Sequence, residues 1–453
     1  MRLKFYLGRT FCVLSLTFAL TTACTIGVFA PEAMKEGRPV LWKNRDVTNP
    51  HQEMKFLRGP RFQFIANVYA GETLDVWAGI NEAGFAIMNS NSYNLTDNIT
   101  SADDGNTMRL ALGSCATVED FAHLLDSLNL IGRETPANFG VFDATGTAAI
   151  FEAGYTSYTR YDAHLDSLRF LLRANYSMSG GPSRILGKNR YERALQLCRS
   201  AHNENRLDVP FLILSLSRDL GQVFFDPYPL PFLGKFGTLP FGYLPTDTTI
   251  CRSQTRSVEI MVGPAGGELP HTGMVWVLLG QPIATLPIPL WVAAETIPPY
   301  LDGNLTSPIC DESQKLVAYL YPLPEHPKAV NTFRLARWLQ FIAPVESIIF
   351  DLVSQYEINW RPNGPSRDEV RTLTDSICRL VLTTYNTFWQ TVETEESLLF
   401  KPGPKTTVQL KAPSLNSFRI FDITGRVLEP SRAKGVVILL KDRTKERFIV
   451  LKR

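Results

Sequence analysis

The chain has 453 residues, with 46 Lys+Arg against 44 Asp+Glu, 45% apolar residues and 20% charged residues. That length suits one large core or two to three domains, and the apolar share excludes a disordered chain. A net charge of +2 argues against a general nucleic-acid binder, and 30 Gly with 30 Pro in no period exclude collagen-like and simple repeat architectures.

The charge is unevenly spread. Residues 401–453 carry 13 basic and 4 acidic side chains, whereas 24–400 holds 30 basic against 40 acidic. An acidic body with a basic tail predicts separate modules.

Arg2, Lys4 and Arg9 form a basic start, followed by the uncharged, mostly apolar stretch Thr10–Thr22 and the small residues Thr21, Thr22 and Ala23. This is the pattern of a secretory signal cut before Cys24. Two other readings stand beside it. Arg9 to Glu32 is free of charge for about the length of a membrane anchor, and small residues before a Cys also describe a lipoprotein signal. Against the lipid anchor, Thr25-Ile26-Gly27-Val28-Phe29 follows Cys24 at once as a β-type run rather than a polar tether. No later segment is long and apolar enough to span a membrane.

In chain order, Arg38–Trp42 reads as a second strand that ends in Lys43-Asn44-Arg45-Asp46. Leu74–Ile80 and Phe85–Asn91 read as strands about the turn Asn81–Gly84. Thr117–Leu130 has helical apolar spacing. Asn138–Phe142 and Ala148–Ala153 form a hairpin turning at Asp143–Gly146. Leu168–Asn175 is a strand, and Lys188–Ser200 and Pro210–Leu220 are helices. Val258–Val262 and Met274–Leu279 are strands again. Segments 49–63 and 226–246 read as loops that would wall a pocket. Phe333–Tyr356 and Glu369–Val392 carry 3.6-residue apolar periodicity. Strands, then helices, then strands predict an α+β fold.

The cysteines beyond Cys24 show no CxxC spacing and the six histidines no ligand spacing, so neither a metal nor another cofactor is expected.

A Cys that becomes the mature N-terminus, with Lys43-Asn44-Arg45-Asp46 about twenty residues on, resembles the N-terminal-nucleophile amidases. Within these it is similar to the choloylglycine hydrolase, penicillin V acylase and isopenicillin N acyltransferase group. Gly79-Ile80-Asn81-Glu82-Ala83-Gly84-Phe85 and Asn138–Gly146 with Glu152 fit two hairpins of that group, and Asn175 follows at the matching distance. Gly280-Gln281-Pro282 after Trp276 is similar to a late strand-turn of the isopenicillin-acyltransferase-like branch.

The resemblance covers roughly 24–300. It implies an αββα four-layer sandwich, extended here by a helical segment over 313–398. It also implies an exported enzyme that hydrolyses a non-peptide linear amide of a small molecule, such as an N-acyl amino acid, bile-acid conjugate or N-acyl amine. Acyl transfer to an amine is the alternative on the same acyl-enzyme. A non-catalytic surface lipoprotein lipidated at Cys24 is the alternative from another class.

The residue chemistry agrees with catalysis. An N-terminal Cys carries its own base: the α-amine titrates at about 7.7–8.0 and the thiol at about 8.5, and the amine can take the thiol proton. By resemblance, Asp46 orients the α-ammonium, and Asn91 and Asn175 supply amide groups around the oxyanion. Lys43 stands where the group usually has Arg, which keeps the charge but loses the planar fork. Arg45 would supply that guanidinium, and Arg256 matches a late Arg near the Cys.

The tail from 401 opens with the linker-like Lys401-Pro402-Gly403-Pro404-Lys405. Ser417–Asp422, Val436–Leu440 and Arg447–Leu451 then read as three short strands. The turn Thr424-Gly425-Arg426 and the basic end resemble the sorting domain of the Bacteroidota type IX secretion system. That implies outer-membrane secretion machinery as a partner of a Gram-negative exported protein; a basic β-module packed on the body is the plain alternative. The expected division is 1–23 signal, 24–400 amidase domain and 401–453 tail.

Overall fold

The computed structural model describes residues 23–95, 104–133, 135–303, 305–360 and 363–399, and four short strands beyond 419. The stretch expected to be an export signal, up to Thr22, and the linker-like 401–405 lie outside the described residues. Two compact units are present, one ending at Val392 and the other starting at Glu393.

The first unit opens with β1 (Ala23–Phe29) and β2 (Val40–Asp46), then β3 (Gln52–Arg58), β4 (Gln63–Tyr69), β5 (Ala78–Asn81) and β6 (Ala86–Asn91). Helices α1 (Asp104–Ser114) and α2 (Val118–Ile131) lead to β7 (Ala137–Phe142), β8 (Ala148–Ala153), β9 (Tyr158–Asp162) and β10 (Phe170–Arg173). Then follow α3 (Lys188–Asn203), the short α4 (Val209–Phe211), β11 (Tyr243–Pro245), β12 (Thr255–Val262), β13 (Met274–Leu279) and β14 (Ile288–Trp291). Helix α5 (Pro308–Leu320), β15 (Ala329–Asn331), α6 (Thr332–Trp360) and α7 (Arg367–Leu399) follow.

Strands β3 to β9 form a seven-stranded antiparallel meander, and a six-stranded sheet has the order β10-β1-β2-β12-β13-β14. Strands β1 and β2 pack face to face on β6 and β7. Period-two alternation sorts the side chains between layers. In β8, Ala149, Phe151 and Ala153 point outward to the cluster with Phe121 and Leu125 of α2, while Ala148 and Ile150 point to the inter-sheet core. On the far side, Trp276 of β13 meets Phe350 of α6 at 5.4 Å, and Tyr385 of α7 donates to Ala284 O at 2.8 Å. The architecture is therefore α+β, with helix, sheet, sheet and helix layers. No helix among the described residues is long and apolar enough to cross a membrane.

Several sequence expectations hold: the hairpin at Asp143–Gly146, the helix over 117–130, observed as α2 with Thr117 as its cap, and the helices over 333–356 and 369–392, observed as the longer α6 and α7. Others need correction. Lys43–Asp46 lie inside β2, not after it, and all seven residues of that strand are buried. Their polarity misleads because each finds partners inside the protein. Leu74–Trp77 is not strand; Val76 N donates to Gly105 O and Trp77 N to Asn67 O. The supposed loop 49–63 contains β3 and runs into β4, its alternation hidden by charged residues such as Lys55, which pairs with Glu53 at 3.0 Å. Residues 209–216 form only a short helix and a wide turn closed by Ser217 N on Leu212 O at 2.9 Å, rather than a helix to Leu220. The 168–175 strand is confined to Phe170–Arg173.

In the second unit, Ile420–Phe421 pairs with Val427–Leu428, and Val437–Lys441 with Glu446–Val450, all antiparallel. Three of these fall on the expected tail strands, and Val427–Leu428 adds a fourth.

Candidate active site

Strand register decides which side chains share a face. Cys24 is the cross-strand partner of Arg45, and Ile26 of Lys43; across β2, Arg45 pairs with Ser257 and Lys43 with Glu259. Cys24, Lys43, Arg45, Ser257 and Glu259 therefore line the face that meets the seven-stranded sheet. Thr25, Trp42, Asn44 and Asp46 point the other way, toward the helices. Trp42 Nε1 reaches Ser217 Oγ at 2.8 Å, and Asn44 Nδ2 reaches Ser217 O at 2.9 Å.

On the first face the Cys24 thiol borders a cavity of about 210 Å³, shared with Lys43, Arg45, Val47, Tyr69, Asp75, Trp77, Asn89, Asn91 and Asp104. Lys43 Nζ donates to Trp77 O at 2.6 Å and to Asn89 Oδ1 at 2.7 Å. Asn89 in turn donates to the Asp104 carboxylate. The Arg45 guanidinium lies 4.4 Å from the Tyr69 ring centre and 4.6 Å from that of Trp77, and bonds Gln52. Such stacking holds a planar cation in an apolar wall. Burial pushes the Cys24 thiol up, and the Lys43 ammonium pulls it back. Burial likewise lowers Lys43, opposed by the charges of Cys24, Glu259 and Asp104.

On the second face the main-chain nitrogen of Cys24 is held. It donates to Asn175 Oδ1 at 3.0 Å, while Asn175 Nδ2 donates to Asn91 O at 3.2 Å. Arg190 of α3 donates to Cys24 O and to Thr25 Oγ1, each at 2.6 Å, and to Asn175 Oδ1 at 2.7 Å. Asp46 accepts from Thr255 Oγ1 at 2.6 Å and from Arg252 Nη1 at 3.2 Å, with Arg190 Nη1 3.9 Å away. Burial raises the Asp46 carboxyl, and the two guanidiniums counter it. A second cavity of about 320 Å³ lies here, lined by Ala23, Asn175, Arg190, Asp247 and Arg252 among others. The peptide bond before Cys24 thus opens on the side opposite the thiol cavity.

The remaining motif residues build the frame. Asn81 closes its turn by accepting from Ala83 N and Phe85 N and donating to Leu112 O and Cys115 O. Glu152 pairs with Arg173 at 2.6 Å and accepts from Met178 N and Ser179 N at 2.7 Å each. Asn138 Nδ2 reaches Ser90 Oγ at 3.1 Å and Tyr176 O at 3.2 Å. Glu152 and Asn138 together clamp the loop that carries Asn175.

Of the residues expected at the site, Cys24, Lys43, Arg45 and Asn91 meet at one cavity, and Asp46 and Asn175 lie at the other end of Cys24. Asn175 presents its carbonyl oxygen, not its amide nitrogen, to the Cys24 nitrogen, and its amide nitrogen is committed to Asn91 O. Arg256 stands apart. It bonds Ser253 O at 2.9 Å and lines neither cavity. Segments 49–63 and 226–246 line neither cavity; the thiol cavity is walled by Tyr69, Asp75 and Trp77 instead. A larger cavity of about 420 Å³, between Leu290, Ile297 and α7, carries no thiol. Arg190, Asn89, Asp104 and Glu259 were not anticipated. Among the described residues no cluster of His, Cys, Asp or Glu has the makings of a metal site, and Cys24, Cys115, Cys198, Cys251, Cys310 and Cys378 form no disulfide.

The family model for acyl-coenzyme A:6-aminopenicillanic acid acyl-transferase matches residues 33–195. That segment holds Lys43, Asp46, Asn91, Asn175 and Arg190, and is similar to the group of amide hydrolases and acyltransferases that the motifs resemble. No curated protein matches the chain by sequence. Among solved structures, a variant of conjugated bile acid hydrolase from Clostridium perfringens aligns at 11% identity and TM-score 0.37, over 62% of this chain and 95% of its own. A Caenorhabditis elegans N-acylethanolamine-hydrolyzing acid amidase ortholog aligns at 14% identity and TM-score 0.35, over 52% and 92%. Penicillin V acylase from Agrobacterium tumefaciens aligns at 15% identity and TM-score 0.34, over 59% and 85%.

Proposed function

We propose that the chain is exported, cut before Cys24, and acts as a thiol-nucleophile amidase on a non-peptide linear amide of a small molecule. The observation that carries this reading is the placement of Cys24. Its thiol borders one cavity while its nitrogen is fixed from the other side by Asn175 Oδ1 at 3.0 Å. Once Ala23 is removed, that nitrogen is the α-amine, two carbons from the sulfur and free to take its proton.

The thiolate then attacks the amide carbonyl, forming the C–S bond. The proton on the α-ammonium passes to the leaving nitrogen as the C–N bond breaks. Water, activated by the freed amine, releases the acid and restores the thiol. Asn175 and Arg190 hold the amine end in place. Asp46 acts through Arg190 and Arg252, whose charges it balances. Among the polar groups at the thiol cavity, the Asn91 amide and the Lys43 ammonium stabilise charge that develops on sulfur and on the substrate oxygen.

The match to an acyltransferase family favours one variation: an amine in place of water as the acceptor of the acyl group. The sorting role of the tail rests on its sequence pattern. The test is to incubate the purified, processed protein with N-acyl amides of varied head group, quench in acid and weigh the Cys24 peptide. The expected result is an acyl adduct on that peptide, with hydrolysis that stops in Cys24→Ala. Undiminished turnover by Cys24→Ala would refute the assignment.

A further inference from the structure

One buried acid near the site has no part in the mechanism above. Glu259 sits on β12, directly across from Lys43 of β2 in the strand register. It is wholly buried, and neither carboxylate oxygen has a hydrogen-bond partner in the structure. A cross-strand pair brings Cβ atoms to about 4.5–5.5 Å, so the carboxylate and the Lys43 stem share one face of the sheet interior. Lys43 itself is 1% exposed and reaches forward to Trp77 O and Asn89 Oδ1, with a third N–H left over. A buried ammonium without a counter-charge loses its proton rather than stay charged.

We propose that Glu259 is a positioning residue of this site: its buried carboxylate is the counter-charge that keeps Lys43 protonated beside the Cys24 thiol. The inference rests on Cys24 being the nucleophile. Lys43 is faced by Cys24 from β1, Arg45 from its own strand, Asp75 and Trp77 from the segment before β5, Asn89 from β6, Asp104 from α1 and Glu259 from β12. Among these, Asp104 meets Lys43 through the Asn89 amide, which accepts from the ammonium and donates to the carboxylate. Glu259 is the acid that shares the sheet face with Lys43 across the strand register, with Ser257 and Arg45 as its other polar neighbours. Burial pushes its carboxyl up, while Lys43 first, then Ser257 and Arg45, pull it down.

The sign of the effect separates this role from its rivals. Without the carboxylate, Lys43 gives up its proton and the thiol loses its cation, so the thiol becomes harder to ionise. Were Lys43 to stay charged regardless, removing a negative charge would make the thiol easier to ionise.

The experiment is the pH profile of Cys24 alkylation by iodoacetamide, read by peptide mass on protein purified from the full-length gene with its N-terminus verified. In Glu259→Gln the midpoint is expected to rise by about one pH unit or more, which is about a tenfold slower reaction below both midpoints. In a Lys43→Arg background, where the cation cannot lose its proton, Glu259→Gln should leave the midpoint in place. An unchanged or lowered midpoint in Glu259→Gln, or an equal shift in the Lys43→Arg background, would overturn the proposal. A parent protein whose Cys24 reacts no faster than Cys198, Cys251 and Cys378, which border neither cavity, would overturn the nucleophile assignment, and the proposal with it.

Should Glu259→Gln fail to fold, the pair Lys43→Met and Lys43→Met/Glu259→Met decides. The double variant is expected to melt higher, because the single one strands a buried carboxylate. An equal or lower melting temperature refutes the pairing.

Discussion

On the face of β1 and β2 that meets the seven-stranded sheet, polar side chains surround a cavity at the thiol; on the opposite face they bond one another beside a second cavity, which Ala23 borders. The thiol face keeps Cys24, Lys43, Arg45 and Asn91 around open space. The nitrogen face ties Cys24, Thr25, Asn175 and Asp46 into a web through Arg190. The difference suits a residue that works at both ends. A base must be held in one direction to accept a proton, whereas a nucleophile needs room for a substrate. The hydrogen bonds at the Cys24 nitrogen supply the first and the cavity at the thiol the second.

The largest expected break in this comparison is at the thiol. Cys24→Ala should lower kcat/KM on any accepted amide by at least ~10³ with the melting temperature nearly unchanged, since the side chain is small and edges a cavity. Next comes the clamp beneath the nitrogen face. Glu152→Ala leaves Arg173 buried and unpaired, and should cost about 3–5 kcal/mol in a denaturant titration. Loss of activity there should track loss of fold.

A selective break of the nitrogen face is Asn175→Ala. It removes the acceptor of the Cys24 nitrogen and should cost about a hundredfold in kcat with a smaller effect on KM, as misplacement of a reacting group does. Gly187 sharpens the same point at lower cost. It caps α3 at φ +79°, and a Cβ there would run into the Arg190 guanidinium. Gly187→Ala should cost about 1–2 kcal/mol of stability, together with a loss of activity smaller than that of Asn175→Ala. The smallest effect belongs to Trp42→Phe, which loses only the bond to Ser217. About 1 kcal/mol of stability should go, with activity near that of the parent.

How much of this was legible in the sequence depends on where each signal came from. Cys24, Lys43, Asp46 and Asn175 were reached through motif order and spacing, and the hairpins about Gly84 and Gly146 through turn chemistry. Strand β2 was cut short because Lys-Asn-Arg-Asp looks solvated, and nothing local says that four polar residues in a row are all buried. Strand β3 was missed for the same reason, since Glu53 and Lys55 break the apolar alternation.

Arg190 left a readable trace. It shares a helical face with Ala194, Cys198 and Ala201, all buried, and an Arg in the apolar stripe of an amphipathic helix asks for a buried partner. Glu259, alone among the apolar residues from Val258 to Val262, carried a similar signal. The contacts themselves were not legible. The pairing of Asn175 with Cys24 spans 151 residues, and the cavity wall of Asp75 and Trp77 comes from a segment whose pattern reads as a strand. Charge in an apolar run flags a buried polar position, while only the fold tells which partner it meets.

The measurement that tests the central claim most directly is the intact mass of the mature N-terminal peptide from the native host. The account predicts an unmodified chain beginning at Cys24, with its amine and thiol both free. A Cys24 carrying diacylglycerol, or one still joined to Ala23, would contradict it, because the proposed base would not exist.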